Sequence, residues 1–233
     1  MFNKIFFYAS TILFYQLINA QVNFDDLNTE FSNLALSVGY GYNSPSIYTS
    51  TLRKNIDEAD VRHCLIKNNF YDENTNSLLR TCPVGEQFSF RLGNSNNGSQ
   101  SEKMSFTFKI NSDNIKGLLY YKYALVLQKS LIDTLSTLQS KFRVLIYLNN
   151  ELLVEPIEIN ANSNSQKLNT FEQQPNRHIK WKDWSVEYID LSKFSINDQL
   201  RIDFETYDCA VGQSFGYAYL FPGYLGQAIK SYN

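Results

Sequence analysis

None of the short signatures that announce a reaction occurs in this sequence. There is no G-x-S-x-G elbow, no H-E-x-x-H and no P-loop. The enzyme classes those motifs identify therefore have no support in the residues. Cysteine is scarce, at three, and no pair stands at a CxxC or Cys/His spacing that suggests zinc. The two histidines, His63 and His178, stand alone. An excess of one charge sign is also missing: 21 Lys and Arg face 23 Asp and Glu, for a net charge of −2. This argues against nucleic acid and against an anionic membrane surface as the main partner. Internal repeats, Pro-rich linkers and low-complexity tails are absent.

Long apolar runs are confined to the first residues. Lys4 is followed by a mostly apolar stretch, Ile5 to Ile18, and then by Asn19-Ala20-Gln21. The stretch falls short of the roughly 20 residues a membrane span needs. It reads instead as a secretory signal peptide over residues 1–20, cut after Ala20. No Cys sits just after the cut, which argues against a lipid anchor. The expectation is an exported protein, secreted or displayed at the cell surface, with the periplasm as an alternative, and not membrane-spanning. Lys4 is the one charged residue in this leader, so its removal makes the remaining chain one charge more negative.

Aromatic residues and alternation dominate what remains. The chain has 16 Tyr and 17 Phe, residue types suited to pleated, half-buried surfaces. Phe106, Phe108 and Ile110 alternate with polar residues, Phe142, Val144, Ile146 and Leu148 recur at every second position, and Leu200, Ile202, Phe204 and Thr206 form another period-two run. Leu118 to Leu127 is a ten-residue aromatic and aliphatic run interrupted by Lys122, consistent with a strand buried on both faces. Asn149-Asn150 offers a hairpin turn. These patterns predict an all-β fold, an antiparallel jelly-roll β-sandwich over 84–221, with a C-terminal tail at 222–233. Residues 21–83 read as an irregular N-terminal elaboration packed on the sandwich. In it, Leu27, Phe31 and Leu34 share the spacing of one helix face. Leu131, Leu135 and Leu138 predict a short amphipathic helix within 128–141.

Export permits a disulfide. Cys64 and Cys82, 18 positions apart, are the expected pair. Closing that loop would contribute about 3 kcal/mol in the loop-entropy account. Cys209 is then left free or buried.

Three segments, taken in order, resemble a known module. They are Arg91-Leu92-Gly93-Asn94 with Gly98 to Glu102; Tyr121 to Gln128; and Lys182-Asp183-Trp184 with Ile189 to Ser192, Asp208-Cys209 and Phe215 to Tyr219. The sequence is similar here to the jelly-roll module of exported Bacteroidetes surface proteins, the type often found with PKD repeats and type IX sorting domains. Its pattern is also similar to MAM-like and galactose-binding-like jelly rolls. The resemblance implies a sandwich for surface adhesion or for binding a glycan, matrix or other surface ligand. It implies no catalytic residues and no cofactor beyond a structural calcium, for which Asp190 and Asp208 lie in turn contexts. A structural or assembly role on a protein partner is the alternative. A glycan-active hydrolase with paired carboxylates is a weaker one.

Four residues stand out as candidates for a binding site. Trp181 and Trp184 are three apart, so a regular strand points them to opposite faces. Trp184 leads into Val186 and Tyr188 and is assigned to the core, which leaves Trp181 outside, either as an edge aromatic that covers a neighbouring loop or as a flat platform for a sugar ring. The phase breaks between Tyr188 and Ile189, which predicts a β-bulge there or a strand buried on both sides. Arg91 and Glu102 read as a bidentate pair closing a loop, or as parts of a polar pocket with Asp208. Gly93 reads as a position of positive φ or close backbone approach.

Overall fold

The computed structural model describes residues 34–42, 51–53, 62–67, 69–131, 138–163, 168–174 and 177–225. The expected signal peptide, Leu27, Phe31 and Leu135 lie outside these residues.

The chain forms an all-β antiparallel sandwich. In order the strands are β1 (Leu34–Tyr42), β2 (Thr51–Arg53), β3 (His63–Ile66), β4 (Ser89–Leu92), β5 (Gln100–Lys109), β6 (Leu118–Lys129) and β7 (Lys141–Leu148). They continue as β8 (Glu151–Leu152), β9 (Ile157–Asn160), β10 (Asn169–Gln174), β11 (Arg177–Asp190), β12 (Gln199–Tyr207) and β13 (Gly216–Leu225). One sheet has the order β2-β1-β5-β12-β7-β8, with β9 also paired to β7; the second has the order β10-β11-β6-β13-β4-β3. From β4 to β7 the chain crosses between sheets at every step, and it does so again from β11 to β13. Late strands insert between early ones, β12 between β5 and β7 and β13 between β6 and β4. This is jelly-roll winding.

The alternations in the sequence become the facing surfaces of the two sheets. Met104, Phe106 and Phe108 of β5, Phe142 and Val144 of β7, and Leu200, Ile202 and Phe204 of β12 meet Tyr121, Tyr123, Leu125 and Leu127 of β6 in one core. Phe204 touches Phe106, Tyr121 and Phe142 at ring separations of 5.7, 5.3 and 6.3 Å. Burying each such side chain stabilises the fold by about 1.5–3 kcal/mol. β6 is central, between β11 and β13. Its other side chains, Ala124 and Val126, belong to a second apolar cluster on the outer face of its sheet. That explains the apolar run. Asn149 and Asn150, at φ 51° and 72°, close the tight β7–β8 hairpin.

Several expectations are corrected. Leu34, placed on a helix face by its spacing, opens β1, which pairs with β5 along its whole length. The N-terminal region is thus not only an elaboration: β1 and β2 extend one sheet and β3 the other. The short helix expected within 128–141 falls between β6, which runs to Lys129, and β7, which starts at Lys141; its middle, 132–137, lies outside the described residues. The C-terminal tail begins later than expected, since β13 continues to Leu225.

The expected disulfide between Cys64 and Cys82 is not formed. Cys64 is in register with Arg91 on β4. The Cys82 sulfur lies instead by the Ser89 hydroxyl and the Ile66 carbonyl, at 3.8 and 3.9 Å, beside the next same-side pair along the ladder. Burial raises the pKa of both thiols, which keeps them protonated. Cys209 is also free and fully buried, with its sulfur accepting from the Gln213 and Ser214 amides.

Gly93 ends β4 at φ +87°, where an added Cβ would stand 2.6 Å from the Gly216 carbonyl oxygen. Both features expected of it are present.

Candidate functional site

The outer face of the β11-β6-β13-β4 sheet is partly roofed by residues 69–84. This segment folds back on itself through backbone bonds between Asp72 and Leu79 and between Phe70 and Thr81. Leu79 drives into the outer cluster of Val126, Ile179, Trp181, Phe215, Tyr217 and Tyr219. Asp72 fastens it: one carboxylate oxygen accepts from the Tyr217 and Tyr219 hydroxyls, each at 2.7 Å. Burial and the Asp72 charge push both tyrosine pKa values upward, so both hydroxyls stay donors.

Where this roof ends a groove of about 500 Å³ opens. Tyr71, Arg80 and Val84 form its roof side, and Trp184, Val186 and Lys122 its sheet side, with Asp183 at the rim. The Trp184 ring leans on Tyr219 at 6.5 Å, and its indole N–H donates to the Arg80 carbonyl at 2.9 Å. The Arg80 guanidinium in turn sits 5.4 Å from the centre of the Tyr71 ring. Lys122 donates to Glu86 at 2.6 Å and lies over the Tyr120 and Phe221 rings. The groove thus offers aromatic walls held by hydrogen bonds, with two cations and a carboxylate at its edges. Tyr71, Leu78, Val84 and Val186 are exposed despite their apolar surface.

The tryptophans have exchanged their expected places. Trp181 is 9% exposed and sits in the outer cluster, whereas Trp184 is half-buried at the groove. The cause is a bulge. Lys182 pairs with Leu125 and Ser185 with Tyr123, so three steps on β11 oppose two on β6. One extra residue inverts the alternation, which puts Trp181 and Trp184 on the same outer face. The bulge expected at Tyr188 and Ile189 does not occur; pairing is regular from Ser185 to Asp190. Val186 and Tyr188 share the face of Trp184 as expected, but that face is the exposed one.

Arg91 and Glu102 are not brought together. Arg91 alternates with Phe90 and Leu92, which face the core between the sheets, so Arg91 points to the outer face beside Tyr219. Glu102 is in phase with Met104 and Phe106 on β5 and points between the sheets. Its partners there are Arg62, whose Nε donates to it at 2.7 Å, and the Thr206 hydroxyl at 2.8 Å. Asp208 is close by and accepts from the Gln100 and Gly216 amides, both at 3.0 Å. Burial, and then the charge of Glu102, raise the Asp208 pKa to about 8, against the downward pull of those amides and of Arg62. Glu102 and Asp208 are 1% and 2% exposed. This cluster is sealed from ligand and ties the end of the sandwich.

Asp190 caps a single 3₁₀ turn through the Ser192 amide. It sits opposite Leu118 at one end of β6, while Asp208 bonds to Gly216 opposite Leu127 at the other. Among the described residues no group of three or more His, Cys, Asp or Glu could hold a metal ion, and no helix is long and apolar enough to cross a membrane.

The groove residues were hidden from the pattern of the sequence. Tyr71, Arg80 and Val84 come from the irregular region, and Trp184 needed the bulge to be known.

No known protein family and no curated protein matches this sequence. Among solved structures, the active domain of tailspike protein 4 from bacteriophage CBA120 is similar at 10% identity and a TM-score of 0.34, over 89% of this chain and 22% of that one. The carbohydrate-binding module CBM27-1 of Caldicellulosiruptor saccharolyticus, in complex with mannohexaose, is similar at 13% identity and 0.32, over 63% and 78%. A Kluyveromyces marxianus β-glucosidase in complex with glucose is similar at 11% identity and 0.29, over 83% and 16%. This chain spans only a minor part of the tailspike and β-glucosidase chains. At these identities and scores none of the three bears on what the chain binds.

Proposed function

We propose that this protein is an exported, non-catalytic β-sandwich that binds glycan in the groove at Trp184. The observation that supports it most is the pairing of Trp184 and Tyr71 on an open groove edged by Arg80, Lys122 and Asp183. Flat aromatic rings stack on the apolar faces of pyranose rings, and edge groups take the hydroxyls. The Trp184 ring is held by its bond to Arg80, so little side-chain freedom is lost on binding. Among the lining residues Asp183 is the one carboxylate, whereas glycoside hydrolysis ordinarily uses two flanking the bond. The leader at residues 1–20 and the resemblance to exported surface modules point the same way.

The test is a glycan array with the purified protein and with Trp184→Ala. Binding by the parent that the variant loses supports the reading. A parent that retains no glycan, or a variant that binds equally well, overturns it, and self-association in place of glycan binding favours an assembly role. The amino terminus of secreted protein should be Gln21; protein retained in the cell with Met1 intact overturns export.

A further inference from the structure

Beyond the groove the same sheet face continues as an aromatic floor, in which the Tyr120 and Tyr188 rings are tilted by 44° to one another. Val186 pairs across the strands with Lys122, and one step further Tyr188 pairs with Tyr120. Trp184, Val186 and Tyr188 share the outer face of β11, and Trp184 to Tyr188 spans roughly 13 Å of strand. Tyr120 lies over the neighbouring strand in the space left by Gly223, where any Cβ would collide with its ring. It is near-parallel to Phe221, at 6.4 Å and 30°, and 6.2 Å from Tyr188. Tyr188 is 57% exposed and Val186 39%. The cation over this floor, Lys122, is paired with Glu86 at 2.6 Å. At the groove Arg80 is matched in number by Asp183. The surface is therefore long, aromatic and close to neutral.

Resting on the glycan-binding reading, we propose that the ligand is an extended, uncharged polysaccharide segment. Its first ring sits between Trp184 and Tyr71, and the following rings lie along β11 past Val186 to Tyr188, with Lys122 beside them as a donor to their hydroxyls. A site for a terminal sugar needs only the groove; the floor beyond it adds stacking area that a short ligand cannot reach. The balanced charge gives no field to attract an acidic chain.

The test titrates the full protein, by calorimetry, with neutral oligosaccharide ladders of one to six rings (cello-, manno-, xylo- and laminari-series) and with an oligogalacturonate ladder. Affinity should rise with length in a neutral ladder. Tyr188→Ala, at an exposed position, should keep the circular dichroism spectrum of the parent and weaken the longest ligand by roughly two- to twelve-fold. The shortest ligand that binds should be unaffected. Trp184→Ala should weaken every length. Equal affinity for short and long ligands, or no effect of Tyr188→Ala on the longest one, overturns the extended chain and leaves glycan binding standing. Binding of the acidic ladder alone overturns the neutral ligand. Binding of no ladder overturns both readings.

Discussion

Trp181 and Trp184 differ by three positions and do different work. Trp181 is enclosed by Ile179, Val126 and Tyr217, with little room for the neighbours to collapse. Trp181→Ala should destabilise the fold by about 3–5 kcal/mol, read as a lower urea midpoint. Trp184→Ala removes a half-buried ring at a groove wall and should move the midpoint much less while abolishing binding. A Trp181 variant as stable as the parent would show that the outer cluster does not support the sheet. Glu102 illustrates a related point. Its guanidinium partner is Arg62, forty positions away, and not the nearer Arg91.

Residues 69–84 form half of the groove, and Asp72 is what holds them down. Asp72→Ala takes the Asp72 acceptor from the Tyr219 hydroxyl and one partner from Tyr217. An unsatisfied buried group costs about 1–3 kcal/mol. Because the segment is attached mainly at Leu79, the tyrosine hydroxyls and the Trp184 indole, the loss should be local. Amide hydrogen exchange should accelerate across 69–84 and leave β6 protected. Uniform acceleration through β6 would mean that the roof and the sandwich unfold as one unit. The bulge in β11 acts at the same level of organisation: by admitting one extra residue it turns the aromatic side of the strand outward beyond Lys182.

For the fold as a single cooperative unit, Asp208 sets a pH dependence. Its carboxyl is raised from 3.8 to about 8 in the folded protein. Between these values the folded state holds a proton that the unfolded state has released. The group's stabilising contribution is complete below pH 4 and is lost as pH rises towards 8. Thermal midpoints should therefore fall across that window on account of this group, and Asp208→Asn should flatten the fall. A parent and variant with parallel pH profiles would place the Asp208 pKa near its ordinary value.

The sandwich was readable because strand alternation is local. Each of β5, β7 and β12 declares its buried side with period two, and Asn149-Asn150 declares its turn. The apolar run of β6 even announced two buried faces. The candidate groove was not readable, because it depends on parity and on distant pairing. Whether Trp181 or Trp184 reaches solvent turns on one inserted residue at Lys182 to Ser185, which no pattern in β11 marks. Whether Arg91 meets Glu102 turns on which face of each strand looks inward, and this leaves Arg91 on the outer face of one sheet and Glu102 on the inner face of the other. Cys64 and Cys82 are near in sequence, yet register sets each beside other partners. Local chemistry chose strands and turns; the register between strands, fixed by packing over the entire sheet, chose which side chains meet and which face a ligand.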